Sequence, residues 1–171
     1  MLKIIGSILI IIASTFGGFM YAQCFVNRVK ELNEIERCIY QLQNEIVYTH
    51  TPLPEALVNV AVKSKEPIAD IFNRSSHKLK SNRYDNVYEA FKEAFRENSN
   101  LNLKEEDINL MLDLSKSLGE SDITGQINIF SLTIENLKKI IAQAEITMKK
   151  NVKMYRYLGF GIGAMIVIML I

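Results

Sequence analysis

Two uncharged apolar runs, Ile4–Val26 and Leu158–Ile171, stand at opposite ends of this 171-residue chain, and all 19 acidic residues lie between them. The first run has 23 residues, enough at ~1.5 Å of rise per residue to cross a hydrocarbon core about 30 Å thick as a helix. A cleaved signal peptide is the rival reading, because Lys3 precedes the apolar run Ile4–Ile12. No A-x-A-like site follows, and the apolar character continues through Phe16, Phe19, Met20 and Phe25, so a retained membrane helix is expected. Gln23 stands where a small residue should precede a lipidated Cys24. The second run reaches only ~21 Å as a helix, so it needs Tyr155 and Tyr157 at the interface, with Arg156 snorkelling, or a thinned bilayer.

The flanking charges give an orientation. Arg28, Lys30 and Arg37 follow the first run, and Lys149, Lys150, Lys153 and Arg156 precede the second. Positive-inside bias therefore predicts a cytoplasmic middle, residues 27–157, between anchors at 1–26 and 158–171. The middle carries 19 basic and 19 acidic residues, a balance that offers no electrostatic case for a nucleic-acid partner. The two cysteines fit neither a disulfide framework nor a zinc site.

The pattern throughout is helical. All three prolines (Pro52, Pro54, Pro67) sit near expected helix starts, and no run alternates with the two-residue period of a strand. Leu32, Ile35, Ile39, Leu42 and Ile46 recur at steps of three and four, extending the first membrane helix as an amphipathic rod to about Tyr48. Thr51 is the expected cap of the next helix, with Pro52 in its first turn. Helices are expected over 55–63, 68–80, 84–97 and 104–118, the last ending at Gly119. A final long helix starts at Asp122, with Ile127, Phe130, Ile134, Leu137, Ile141, Ala144 and Met148 in a heptad seam. The fold class is thus all-α: a membrane-anchored helical domain in which two long helices, continuous with the membrane segments, enclose about four short ones. The two rods can pair antiparallel. Ala13, Gly17 and Gly18 in the first anchor and Gly159, Gly161 and Gly163 in the second allow close helix approach.

Catalytic patterns do not emerge. The two histidines, His50 and His77, lie far apart in sequence with no second ligand one helical turn away. No P-loop, nucleophile elbow or dinucleotide fingerprint occurs, and Gly119 and Gly125 are the only glycines of the middle segment. Catalytic, metal and cofactor residues are accordingly expected to be none. Paired charges such as Lys30 with Glu31, or Glu93 and Glu97 with Arg96, read as solvated helix faces. Two connecting stretches carry more pattern: Glu45 to Leu57, and Ser117 to Asp122. They read either as capping sequences or as a shared docking surface.

At those stretches the chain resembles the stage III sporulation AB proteins of endospore-forming bacteria. The resemblance lies in Met1-Leu2-Lys3-Ile4-Ile5-Gly6, in the run Glu45-Ile46-Val47-Tyr48-Thr49-His50-Thr51-Pro52-Leu53-Pro54-Glu55-Ala56, in Pro67-Ile68 with Ile71-Phe72, and in Leu118-Gly119 with Asp122 and Gln126. It covers essentially the whole chain. That family is similar to the inner-membrane platform proteins of type II secretion and type IV pilus systems, here at Thr51-Pro52-Leu53 with Ala56-Leu57 and at Gly119-Glu120. Those platforms carry two helical domains and more membrane helices, whereas this chain has one domain between two anchors.

The resemblance implies a non-enzymatic component, in the mother-cell membrane, of the channel apparatus between mother cell and forespore. Its implied partners are the stage III sporulation ATPase (the AA protein) and other membrane subunits of the same operon, with no nucleic acid and no small-molecule substrate. Glu45, Tyr48, Pro52, Leu53, Glu55 and Asp122 are the expected partner-binding positions. The competing reading is a membrane-tethered homodimeric signalling or sensor protein that pairs through the heptad helix over 122–157.

Overall fold

The computed structural model describes residues 2–81, 86–118 and 123–170. Six α-helices follow in order, and no strand occurs among the described residues: α1 (Leu2–Gln43), α2 (Leu53–Val62), α3 (Ile68–Lys80), α4 (Val87–Glu97), α5 (Glu105–Ser117) and α6 (Ile123–Leu170). Each expected helix is present, with ends shifted by a few residues. Gly119 and Asp122, the expected stop of α5 and start of α6, lie outside the described residues.

The chain forms two compact units, Met1–Val29 with Ala142–Ile171, and Lys30–Ile141. In the second unit, Leu32, Ile35, Ile39 and Leu42 of α1 are fully buried, as their spacing predicts. Removing such side chains from water contributes about 1.5–3 kcal/mol each. From α6, Phe130, Ile134, Leu137 and Ile141 are buried, while Ile127 at the start of the seam is exposed. Lys138 of α6 meets α1 through the Tyr40 ring at 5.6 Å and Glu36 at 4.0 Å.

Helices α2 to α5 pack each on the next. Phe72 of α3 meets Phe91 of α4 edge-to-face at 5.5 Å, a geometry worth about 0.5–1.5 kcal/mol beyond area burial. Polar links tie the helices together: the Ser76 hydroxyl donates to the Pro54 carbonyl at 2.6 Å, and Asn98 donates to Asp70 at 3.2 Å. Glu97, expected on a solvated face beside Arg96, instead reaches across to α3, to Lys78 at 2.7 Å and Arg74 at 3.4 Å.

A second departure is Glu31, which is buried, 5% exposed, and not a solvated partner of Lys30. It accepts from the Asn102 backbone N–H at 2.8 Å and the Asn102 side-chain amide at 2.7 Å, tying the strand-like approach to α5 against α1. Burial pushes its carboxyl above the usual value, and the two Asn102 hydrogen bonds only partly oppose that. Heptad spacing could not reveal this, because Asn102 is remote in sequence.

In the first unit, α1 and α6 run antiparallel at close range. A Cβ added to Gly18 would lie 2.7 Å from the Tyr155 carbonyl oxygen and 2.9 Å from Gly159 Cα. One added to Gly163 would lie 3.2 Å from Ile11 Cα. The Ser14 hydroxyl donates to the Gly159 carbonyl at 2.6 Å. The contacting pairs are therefore Ser14 with Gly18 and Gly159 with Gly163, each four residues apart, which places both small residues of a pair on one helix face. Gly17 and Gly161 face open space, and Ala13 is exposed. Tyr155 sits between Tyr21 and Phe25, at 4.6 and 5.7 Å, and the Arg156 guanidinium lies 5.0 Å above Phe19. Both helices are long and apolar enough to cross a membrane, and only 6% and 11% of their most apolar stretches is buried. The core helix of a water-soluble protein would be mostly covered.

Candidate partner-docking turn

The link from α1 to α2 is built by a change of helical pitch. Asn44–Tyr48 winds as a π-helix, its wider turn closed by the Thr49 N–H donating to the Asn44 carbonyl at 3.1 Å. Five residues then make the turn instead of four. The apolar seam is displaced accordingly, so Val47, not the expected Ile46, is buried after Leu42. His50 follows with φ 54°, in the left-handed region, which reverses the backbone into the extended Pro52.

Helix α2 starts one residue later than Thr51 as a cap would require. Pro52 is the N-cap, its carbonyl accepting from Glu55 and Ala56 N–H at 2.9 Å each, and Pro54 lies in the first turn where no N–H is needed. The Thr51 hydroxyl is used elsewhere, donating to Glu45 at 3.0 Å. Asn59 donates to the same carboxylate oxygen at 3.0 Å, and Lys63 lies 3.6 Å from the other oxygen. The Asn59 and Thr51 hydrogen bonds, with Lys63 beside them, hold the Glu45 carboxyl below the usual carboxylate range. Glu45 is thus a staple between the π-helical turn and α2, with its acceptor capacity already engaged.

The far end of α2 is fastened to α1 as well. Glu34 accepts from the Lys65 N–H at 2.7 Å, and Arg37, paired with Glu34, donates to the Lys63 carbonyl at 2.6 Å. Burial raises the Glu34 carboxyl, but the Arg37 hydrogen bond and the Lys65 N–H outweigh it, and the net displacement is downward. Between them Cys38 contacts the Ser64 hydroxyl at 3.0 Å; burial pushes its thiol up to about 11. None of Asn59, Lys63, Glu34 and Arg37 stands out in the sequence as a site residue, although Glu34 and Arg37 do show the three-residue spacing of a helix-surface ion pair.

Of the expected partner-binding residues, the structure brings five into this turn. Tyr48 is 70% exposed, Pro52 and Glu55 are exposed, Leu53 is half-buried, and Glu45 supports them from beneath. Asp122 lies outside the described residues. Among the described residues no group of histidine, cysteine and carboxylate side chains could hold a metal ion.

A turn clamped this way and carrying an exposed tyrosine is what comparison with known proteins must explain. A model of the family described as stage III sporulation protein AB matches residues 3–171. The chain belongs to the stage III sporulation protein AB family. Stage III sporulation protein AB of Bacillus subtilis (strain 168) is 28% identical over 171 residues, covering 99% of each chain. A solved structure of stage III sporulation protein AB superposes with a TM-score of 0.66 at 23% identity, covering 72% of this chain and 97% of that one. The AB family assignment makes this a sporulation protein, and the solved structure shares its all-helical fold.

Proposed function

We propose that the chain is a non-enzymatic platform of the sporulation channel apparatus, anchored at both ends in the mother-cell membrane with residues 27–157 in the cytoplasm, and that it docks a cytoplasmic secretion-type ATPase. The observation that carries this reading is the clamped turn. Tyr48, Pro52, Leu53 and Glu55 form a surface held by the Glu45, Glu34 and Arg37 attachments, and an exposed turn on a rigid support is where binding residues concentrate. Tyrosine is among the residue types that dominate interface energetics. Glu45 acts as a positioning residue in this reading. Asp122 joins the docking set from the neighbouring connection.

The test is capture of the stage III sporulation ATPase by the full-length chain in detergent micelles. Tyr48→Ala should weaken capture about 30-fold, the effect of a ~2 kcal/mol interface anchor, and Glu55→Lys should weaken it further by reversing a charge. Circular dichroism should show unchanged helicity in both. Undiminished capture by both folded variants would remove this docking face. Pairing of two chains through the α6 seam has less support, because Phe130, Ile134 and Leu137 are already buried within one chain.

A further inference from the structure

Just before its last apolar run, α6 carries Lys149, Lys150, Lys153 and Arg156, and Glu145 is the only acidic residue anywhere in Met1–Val29 and Ala142–Ile171. Lys149, Lys153 and Arg156 lie four and then three residues apart, on one helix face. Together with Met148 and Val152 of the same helix and Val26 of α1, they line a cavity of about 390 Å³. Its chemistry is divided: Val26, Met148 and Val152 give apolar walls, and the three cations give the rim. All three basic residues are exposed, and none of Lys149, Lys153 and Arg156 has a carboxylate partner among the described residues. Arg156 also lies across the Phe19 ring at 5.0 Å, so its guanidinium is held beside the cavity rather than trailing in solvent.

We infer that this cavity is a binding site for the phosphate headgroup of an anionic glycerophospholipid, of the phosphatidylglycerol class. An anionic phosphodiester attached to hydrocarbon matches both halves of the lining. Lysine supplies point charges, and arginine supplies the planar fork that phosphate oxygens accept in pairs. A protein acid would satisfy the rim but leave Val26, Met148 and Val152 uncovered, and a neutral lipid would leave the three charges unmatched. The inference rests on the proposed membrane anchoring of the two helices, since only in a bilayer would lipid headgroups lie at the start of the final apolar run. Such basic pockets between membrane helices on the cytoplasmic side are a recurrent mode of headgroup recognition.

The experiment uses the full-length chain in nanodiscs of phosphatidylcholine alone and of phosphatidylcholine mixed with phosphatidylglycerol. Native mass spectrometry then counts the phosphatidylglycerol retained, and the same lipid is titrated into the chain in neutral micelles. Saturable retention near one lipid per chain is expected. Each neutralised cation should cost about fivefold in affinity, so the triple variant Lys149→Gln, Lys153→Gln, Arg156→Gln should lose roughly a hundredfold. A triple variant of equal charge change outside the cavity, Lys92→Gln, Lys116→Gln, Lys150→Gln, should retain the lipid to within about fivefold. Equal loss in both triple variants would reveal diffuse attraction and overturn the site. Equally tight binding of inorganic phosphate in micelles would overturn the lipid assignment. Failure to enter neutral nanodiscs would sink the membrane anchoring and this site with it; entry without preference for phosphatidylglycerol would sink this site alone.

Discussion

The adjacent glycines Gly17 and Gly18 make a controlled test of the α1–α6 contact. In Gly18→Ala the new methyl group meets the Tyr155 carbonyl oxygen at 2.7 Å and Gly159 Cα at 2.9 Å, and both obstacles are backbone, so no rotamer relieves them. Restoring ordinary contact at ~3.4 Å requires the helices to part, and that movement stretches the 2.6 Å hydrogen bond from Ser14 to the Gly159 carbonyl out of its favourable range. Overpacking of this kind costs about 1–3 kcal/mol, and the interhelical hydrogen bond adds about 0.6 kcal/mol. Better helix propensity of alanine returns up to about 1 kcal/mol. The net expectation is a loss of about 1–2.5 kcal/mol. Gly17→Ala has nothing within 4 Å of the new methyl and should be neutral or slightly stabilising. The assay places Tyr21→Cys and Tyr155→Cys, whose parent rings are 4.6 Å apart, in a Cys24→Ser background. It then follows the SDS fraction at which their oxidative cross-linking stops. Gly18→Ala should lower that fraction and Gly17→Ala should not; equal behaviour of the two would refute the proposed close approach.

Two further predictions concern buried groups. Because burial raises the Glu31 carboxyl, the folded chain binds a proton more readily than the unfolded one, and carrying the charge costs stability as pH rises above the unfolded value of 4.5. The melting temperature of Glu31→Gln relative to the parent should therefore be more favourable at pH 7 than at pH 4, read by thermal scans in micelles; a difference independent of pH would contradict the burial. Cys38, with its thiol pushed up to about 11, should resist maleimide at pH 8 in the folded chain and react on unfolding, as counted by intact mass.

Sequence pattern carried the helical elements far and the attachments between them poorly. The steps of three and four at Leu32, Ile35, Ile39 and Leu42 report burial directly, because a core-facing stripe is a local property of a helix. The same reasoning failed at Ile46, since it assumes a constant pitch and the π-helical turn changes it. Glu31 with Asn102, Glu34 with Lys65 and Ser14 with Gly159 are pairings between residues remote in sequence, whose spacing has no period to detect. The partner-docking residues were legible as a run of unusual composition. That Glu45 is consumed as an internal acceptor was not, because Asn59 and Lys63 reach it only after α2 has folded back.

The π-helical turn makes chain length itself a determinant of where the docking surface points. Deleting any single residue between Asn44 and Tyr48 would let the segment rewind at ordinary pitch and swing everything after it by ~100°, one residue's share of a helical turn. Point substitutions there can be absorbed as changes of volume or charge. A one-residue deletion would instead turn Tyr48 and Pro52 toward a different compass bearing, with every side chain of the surface still present and none of them aimed at the partner.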